Sequence, residues 1–280
     1  MNTVFLNGAF VNAAEARVSV FDRGFLYGDG VFETIRVQEG HPFRWSRHFS
    51  RLTAGLSLLG IRLPYEETEL RRHANALIAA NHCPDVILRL TVSRGPGRRG
   101  LSPKDAETPT VLMSLHPGPD RTRATALRLV TSPFRVLAGD PLAAVKSASK
   151  LGYVLARQFA DAAGADDALI LNHRDEVAET TSSNLFWMRG DTLFTPAGGV
   201  GILPGVARGA VLELAPTLGC EVQEVAANHA SLSDAECVFA TNVVTGVVEV
   251  IEIDGQGIKG SERCAALGRA LEDLVRAESR

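Results

Sequence analysis

At 280 residues, with 45% apolar and 22% charged side chains and a formal charge of -3, the chain is long enough for two unequal domains and carries no charge-rich tail or low-complexity tract. Acidic residues slightly outnumber basic ones and the arginines are scattered, which argues against a nucleic-acid binder. The amino terminus lacks a basic segment followed by an apolar run, and no apolar run approaches about 18 residues, so the expectation is a soluble, cytoplasmic protein with no membrane span. Cys83, Cys220, Cys237 and Cys264 have no CxxC or metal-like spacing and read as buried free thiols in a reducing compartment. The histidines form no paired-ligand pattern, and no metal site is expected.

The first element is a hairpin over residues 3–20, turning at Asn7–Gly8, a dipeptide suited to the left-handed backbone of a tight turn. GVFETIRVQEGHPFRW predicts a second hairpin with its turn near Gln38 to Gly40. HFSRLTAGLSLLGI and YEETELRRHANALIAANHC have helical spacing, the latter opening with acidic residues. DVILRLTVSRG and TPTVLMSLHP are strands, closing an α+β domain over residues 1–115. HPGPDRTR, residues 116–123, has the content of an interdomain linker. Residues 124–280 read as a larger α/β domain: strand ALRLVTSP, a helix after Lys146, strand DALILNH, paired strands in EVAETTSSNLFWMRGDTLFTP, a helix opening at Pro204 and Gly205, strand ECVFATNVVTGVVEVIEIDG and a final helix.

Only four lysines occur, Lys104, Lys146, Lys150 and Lys259, so chemistry that needs an amine has few candidates. Lys146 lies between an apolar run and an amphipathic helix, where an amine can meet a desolvated pocket; on its own, a lysine near a helix start is also an ordinary surface residue. In that helix Leu151, Val154, Leu155, Phe159 and Ala162 mark a buried face, Lys150, Arg157 and Asp161 turn away from it, and Ser147 or Ser149 is the expected N-cap. Glu179 reads either as an exposed strand residue or as an acid held at depth between a turn and a run of small hydroxyl residues. GILPGVARGAV enters a helix through Gly205, offering free N–H groups and a dipole to an anion, although Gly and Pro at a helix start are commonplace. A buried amine, a carboxylate and an anion-binding helix start are the parts a pyridoxal phosphate site requires.

FDRGFLYGDGVFETIRV, HFSRL, the lysine before LGYVLA, EVAETTSSNLFW, ILPGVAR and VFATNVVTGVVEVIEIDG, in this order, resemble the fold type IV pyridoxal phosphate enzymes of the class IV aminotransferase family. These include branched-chain aminotransferases, D-amino-acid aminotransferases and 4-amino-4-deoxychorismate lyases, and the resemblance covers nearly the whole chain. It implies a two-domain α+β fold, with a small N-terminal α/β domain and a larger C-terminal α/β domain, and pyridoxal phosphate as cofactor. It also implies a homodimer in which the neighbouring subunit helps form the rim of an interdomain site. Carried over motif by motif, Lys146 would be the Schiff-base lysine and Glu179 the partner of the pyridine nitrogen. Arg51 would bind the phosphate with the N–H groups of Val206 and Ala207, and Asn184 and Asn242 would be further cofactor contacts. Tyr27 and Phe32, with Arg89 and the loop arginines Arg94 and Arg99, would line the substrate side. KSASK departs from the family by placing Ser149 where an asparagine is common.

Three positions bear on the reaction. Thr34 stands where the lyases have a threonine, while branched-chain aminotransferases tend to have glycine and D-specific ones valine; threonine also simply suits a strand. Asn242 followed by Val243 is similar to the lyase pattern, since aminotransferases usually have a phosphate-binding threonine at the second place. Arg89 shares a strand face with Ile87 and Thr91, opposite Leu88, Leu90 and Val92, and needs either a substrate carboxylate or a salt bridge within the small domain. The resemblance therefore implies a lyase making 4-aminobenzoate and pyruvate for folate biosynthesis, with Lys146 as general base and Thr34 at the leaving group. The alternatives are an aminotransferase for D-amino acids or branched-chain L-amino acids, and a noncatalytic cofactor-binding regulator.

Overall fold

The computed structural model describes residues 2–118 and 126–279. The chain divides into two compact units, the first comprising Met1–Asp120, Val145–Lys150 and Val275–Arg280, the second Arg121–Ala144 and Leu151–Leu274. Of the expected linker over 116–123, His116 and Pro117 end a strand and 119–123 lie outside the described residues. Lys146, expected in the larger domain, packs in the first unit, because the backbone around it pairs with a strand edge there.

The first unit contains β1 (Thr3–Leu6), β2 (Ala9–Asn12), α1 (Arg23–Tyr27), β3 (Gly30–Gln38), β4 (His41–Pro42), α2 (Trp45–Leu59), α3 (Glu67–Ala80), β5 (Val86–Ser93) and β6 (Thr110–Pro117). Its antiparallel sheet has the order β2-β1-β6-β5-β3-β4. Asn7 and Gly8, at φ 48° and 95°, make the first hairpin turn, and Glu39 and Gly40, at 51° and 83°, the second. The short helix α1 was not anticipated; the Asp22 carboxylate caps it by accepting from the Gly24 N–H at 2.7 Å. Strand alternation sends Val31, Ile35, Val37, Leu88, Leu90 and Val92 into one core with Leu52 and Leu56 of α2 and Leu70 and Leu77 of α3. Phe32, Thr34 and Arg89 are left on the opposite face, with Thr34 directly across from Arg89. At the open edge of β3 the Phe32 N–H donates to the Lys146 carbonyl and the Ala148 N–H to the Gly30 carbonyl, both at 2.9 Å.

The second unit contains β7 (Ala126–Thr131), α4 (Leu151–Ala162), β8 (Asp167–Leu171), β9 (Val177–Thr180), β10 (Asn184–Arg189), β11 (Thr192–Pro196), α5 (Val206–Leu214), β12 (Glu221–Val225), β13 (Cys237–Asn242), β14 (Gly246–Ile253), β15 (Gln256–Gly257) and most of α6 (Glu262–Glu278). The sheet runs β12-β11-β10-β13-β14-β7-β8-β9, and β9 also pairs with β10 through Glu179 and Asn184, closing the path on itself. The apolar stretch from Glu236 to Gly255, read as one strand, is broken by a turn after Asn242 into β13 and β14. β12, polar and largely exposed, was not anticipated because it lacks a buried apolar face.

Two expectations are overturned here. Cys237 and Cys264 form a disulfide between β13 and α6, leaving only Cys83 and Cys220 as free thiols, so the argument for a reducing compartment loses two of its four cysteines. On α4 the predicted buried face is wrong: Tyr153, Ala156 and Ala160 pack inward on Ala168 and Ile170, while Leu151 and Val154 are 69% and 59% exposed; Arg157 and Asp161 are exposed, as expected. Small side chains let the helix lie close to β8, and the larger apolar residues that dominate its periodicity point outward. No helix among the described residues is long and apolar enough to cross a membrane.

Leu88, fully buried at the centre of the first unit's core, sets a stability test. Leu88→Ala should cost about 2–5 kcal/mol, read as a lower urea midpoint for the first unit's transition; an unchanged midpoint would contradict this core assignment.

Candidate active site

Lys146 and Arg89 both bring cations over the Phe32 ring, Nζ at 4.7 Å from the ring centre and the guanidinium carbon at 3.9 Å. Phe32 is 9% exposed, so the ring is a mostly dry platform between two positive groups. Burial pushes the Arg89 guanidinium below its usual range. Arg89 makes no ion pair with a carboxylate among the described residues, so the salt bridge that was one option within the small domain is not formed there. Thr34, half-buried across from Arg89, makes no side-chain hydrogen bond among the described residues.

Behind this face lies a buried ionic cluster that sequence reasoning missed. Glu33, 1% exposed, accepts from Arg51 Nε at 2.9 Å, Arg51 Nη2 at 2.6 Å and His48 Nδ1 at 2.7 Å. Burial alone would raise its pKa, but the hydrogen bonds from Arg51 and then His48 hold it down at about 2. Burial pushes His48 below its ordinary value, so the neutral ring donates from Nδ1; its Nε2 is buried without a hydrogen-bond partner among the described residues. The available signal was an acid at a core-facing position of β3, between Val31 and Ile35, which must find a partner. Arg51, expected at the phosphate, has its Nε–Nη2 edge held by Glu33 and is thereby fixed in orientation.

The predicted rim residues separate. Arg94 is corrected: it is 8% exposed and bonds to both Asp29 oxygens and to the carbonyls of Leu59 and Gly60, so it braces the fold and does not present a mobile cation. Tyr27 accepts the Gly100 N–H at 3.0 Å and stacks under Arg23, tethering the arginine-rich loop. Arg99 is exposed and forms no ion pair among the described residues.

In the second unit, Glu179 is 6% exposed, and its donors include Tyr153 Oη at 2.8 Å on Oε1, and the Leu203 N–H at 3.2 Å and Asn184 Nδ2 at 3.3 Å on Oε2. Asn184 Nδ2 also donates to the Leu203 carbonyl at 2.8 Å, tying the carboxylate to the turn that opens α5. No side chain caps α5, whose first residues Val206 and Ala207 are buried. A Cβ on Gly205 would fall 2.0 Å from Asn184 Oδ1, so any larger residue there would displace the Asn184 side chain. Asn242, expected as a cofactor contact, shapes the β13–β14 turn: its Oδ1 accepts the Val244 and Thr245 N–H groups at 2.8 and 2.9 Å and its Nδ2 donates to Ser183.

A buried, donor-rich carboxylate, an uncapped helix start and one amine on a dry aromatic platform are the fittings of a pyridoxal phosphate enzyme. The family model for amino-transferase class IV matches residues 30–253, and the chain belongs to that family, with the fold type IV architecture and pyridoxal phosphate as its cofactor. It is 37% identical over 92% of its length to a putative branched-chain-amino-acid aminotransferase of Methanocaldococcus jannaschii, covering 90% of that protein. It is 33% identical over 84% of its length to an aminodeoxychorismate lyase of Vibrio harveyi, covering 87% of it. Among solved structures, the T.th. branched-chain amino acid aminotransferase with pyridoxamine 5'-phosphate superposes with a TM-score of 0.93 at 28% identity, covering all of this chain and 95% of that one. The residues fit the cofactor: Glu179 can accept a ring N–H, and the N–H groups opening α5 suit a phosphate.

The Glu33 cluster has a pH signature. Its carboxyl is more acidic folded, at about 2, than its ordinary 4.5, so its stabilisation is complete above about pH 4.5 and is lost as pH falls toward 2. Glu33→Gln should cost about 3–5 kcal/mol at neutral pH by removing the buried charge that Arg51 and His48 donate to, and flatten the acid limb of a stability–pH curve measured by denaturation. An acid limb identical to that of the native sequence would contradict the assignment.

Proposed function

We propose that the protein is a 4-amino-4-deoxychorismate lyase that releases 4-aminobenzoate and pyruvate, in the service of folate biosynthesis. The observation that carries this reading is the uncommitted Thr34 hydroxyl on the sheet face that also bears Phe32 of β3 and Arg89 of β5, with the Lys146 amine over the Phe32 ring. When bound, pyridoxal phosphate supplies an electron-accepting ring that stabilises negative charge beside the substrate's amino group. Glu179, held by Tyr153, Asn184 and the Leu203 N–H, keeps the proton on the ring nitrogen. Arg51 and the N–H groups of Val206 and Ala207 hold the phosphate.

Arg89 anchors one substrate carboxylate, with Arg99 and Tyr27 at the rim. Lys146 Nζ removes the proton from the ring carbon that bears nitrogen. As the ether C–O bond breaks, its electron pair leaves with enolpyruvate and the carbocycle becomes aromatic. Thr34 or the protonated Lys146 returns the proton to the departing group, which ends as pyruvate, so neither an oxidant nor an amino acceptor is consumed.

We further propose a homodimer. Support comes from α4, where Leu151, Val154, Leu155 and Phe159 form an exposed apolar stripe that a second copy would cover.

The deciding experiment supplies purified protein with aminodeoxychorismate and, separately, with D-alanine and L-leucine. Release of 4-aminobenzoate and pyruvate without added keto acid is expected. Conversion of the cofactor to its amine form by either amino acid, with no pyruvate from aminodeoxychorismate, would establish a transaminase instead. Thr34→Val should lower kcat about 100-fold while the cofactor is retained, and Arg89→Leu should raise KM about 30-fold or more. Light scattering should give twice the 29.9 kDa chain mass, and Val154→Glu should shift it toward one; a monomeric native protein would end the dimer proposal.

A further inference from the structure

Tyr153 lies seven residues beyond Lys146 in the sequence and was not among the expected site residues. It occupies the inner face of α4 with Ala156 and Ala160, and its hydroxyl makes the shortest of the three hydrogen bonds described for Glu179, 2.8 Å against 3.2 and 3.3 Å. It reaches Oε1, while the Leu203 N–H and Asn184 reach Oε2. The terminal torsion of a carboxylate is broad in energy, so a short hydrogen bond from a packed side chain narrows its orientation. We propose that Tyr153 is a positioning residue for the cofactor: it helps orient the Glu179 carboxylate and favours its ionised form, the form that keeps the pyridine nitrogen protonated.

This inference rests on the reading of Glu179 as the ring-nitrogen partner. The phenol is suited to the task because burial, followed by the charge of Glu179 and its hydrogen bond, pushes its pKa up, and it stays a donor throughout the working range. Its ring packs among Ala156, Ala160, Ala168 and Ile170, so Tyr153→Phe removes the donor and keeps the packing. Hydrogen bonds to charged groups of this kind translate into roughly tenfold or larger effects.

The test compares native protein, Tyr153→Phe and Glu179→Gln, each stripped of cofactor and reloaded. Three quantities are read: the dissociation constant for pyridoxal phosphate from quenching of intrinsic fluorescence, the pH midpoint of the bound cofactor's visible band, and the melting temperature of the cofactor-free protein. Tyr153→Phe is expected to weaken cofactor binding about tenfold and to displace the pH midpoint in the same direction as Glu179→Gln, with the cofactor-free melting temperature unchanged. If Glu179→Gln alters binding and midpoint but Tyr153→Phe leaves both at native values, the Tyr153 inference is wrong while the Glu179 reading stands. If neither variant changes them, the Glu179 reading fails and takes this one with it. A fall in the cofactor-free melting temperature without a displaced midpoint would assign Tyr153 a packing role and also overturn the proposal.

Discussion

The period-two alternation of β3 is the constraint on which the first unit depends. One face must enter the core, so Val31, Ile35 and Val37 pack under α2 and α3, and the register with β5 then leaves Phe32, Thr34 and Arg89 on the other side. A slip of β3 by one residue would turn Phe32 and Thr34 into the core and Val31 and Ile35 out of it. Glu33 locks the register further, because an acid on the core side is tolerable only where Arg51 and His48 meet it. The short backbone pairing at Gly30–Phe32 fixes the chain around Lys146 to the same strand. Core packing, charge burial and amine placement are therefore consequences of one strand's register.

The second unit solves a different problem: how to hold a carboxylate at depth. Glu179 sits where β9 meets β10 and the sheet path closes, so its donors come from a helix, a strand and a turn. Asn184 belongs as much to the turn as to the acid, since it bonds the Leu203 carbonyl and lies against Gly205. The same asparagine thus couples the position of the acid to the start of α5. A fully satisfied network of this kind resists rearrangement, as a partner for a ring nitrogen must.

Local chemistry was legible in the sequence, and long-range pairing was not. Asn7–Gly8 announces a turn, Gly205 before Val206 announces a helix start, and a chain with four lysines narrows the search for an amine. Motif order then identified the family. Tyr153 and Glu179 are 26 residues apart, and Glu33 meets Arg51 18 residues on, so no window of periodicity reveals either pair. The arginines of the 94–99 loop look alike as letters, yet Arg94 is consumed by Asp29 and Arg99 stays exposed. The α4 stripe misled for a physical reason: large apolar residues at helical spacing signal a covered face without stating whether the cover is the chain itself or another molecule. Cys237 and Cys264 carry no spacing signal because their approach is made by β13 and α6 packing.

Everything proposed for the chemistry requires that Lys146, and not its half-buried neighbour Lys150, carry the cofactor. Reducing the pyridoxal phosphate-loaded protein with borohydride and mapping the labelled peptide tests this most directly. The account predicts one phosphopyridoxyl adduct, at Lys146; an adduct at Lys150 or elsewhere, or none, would contradict it.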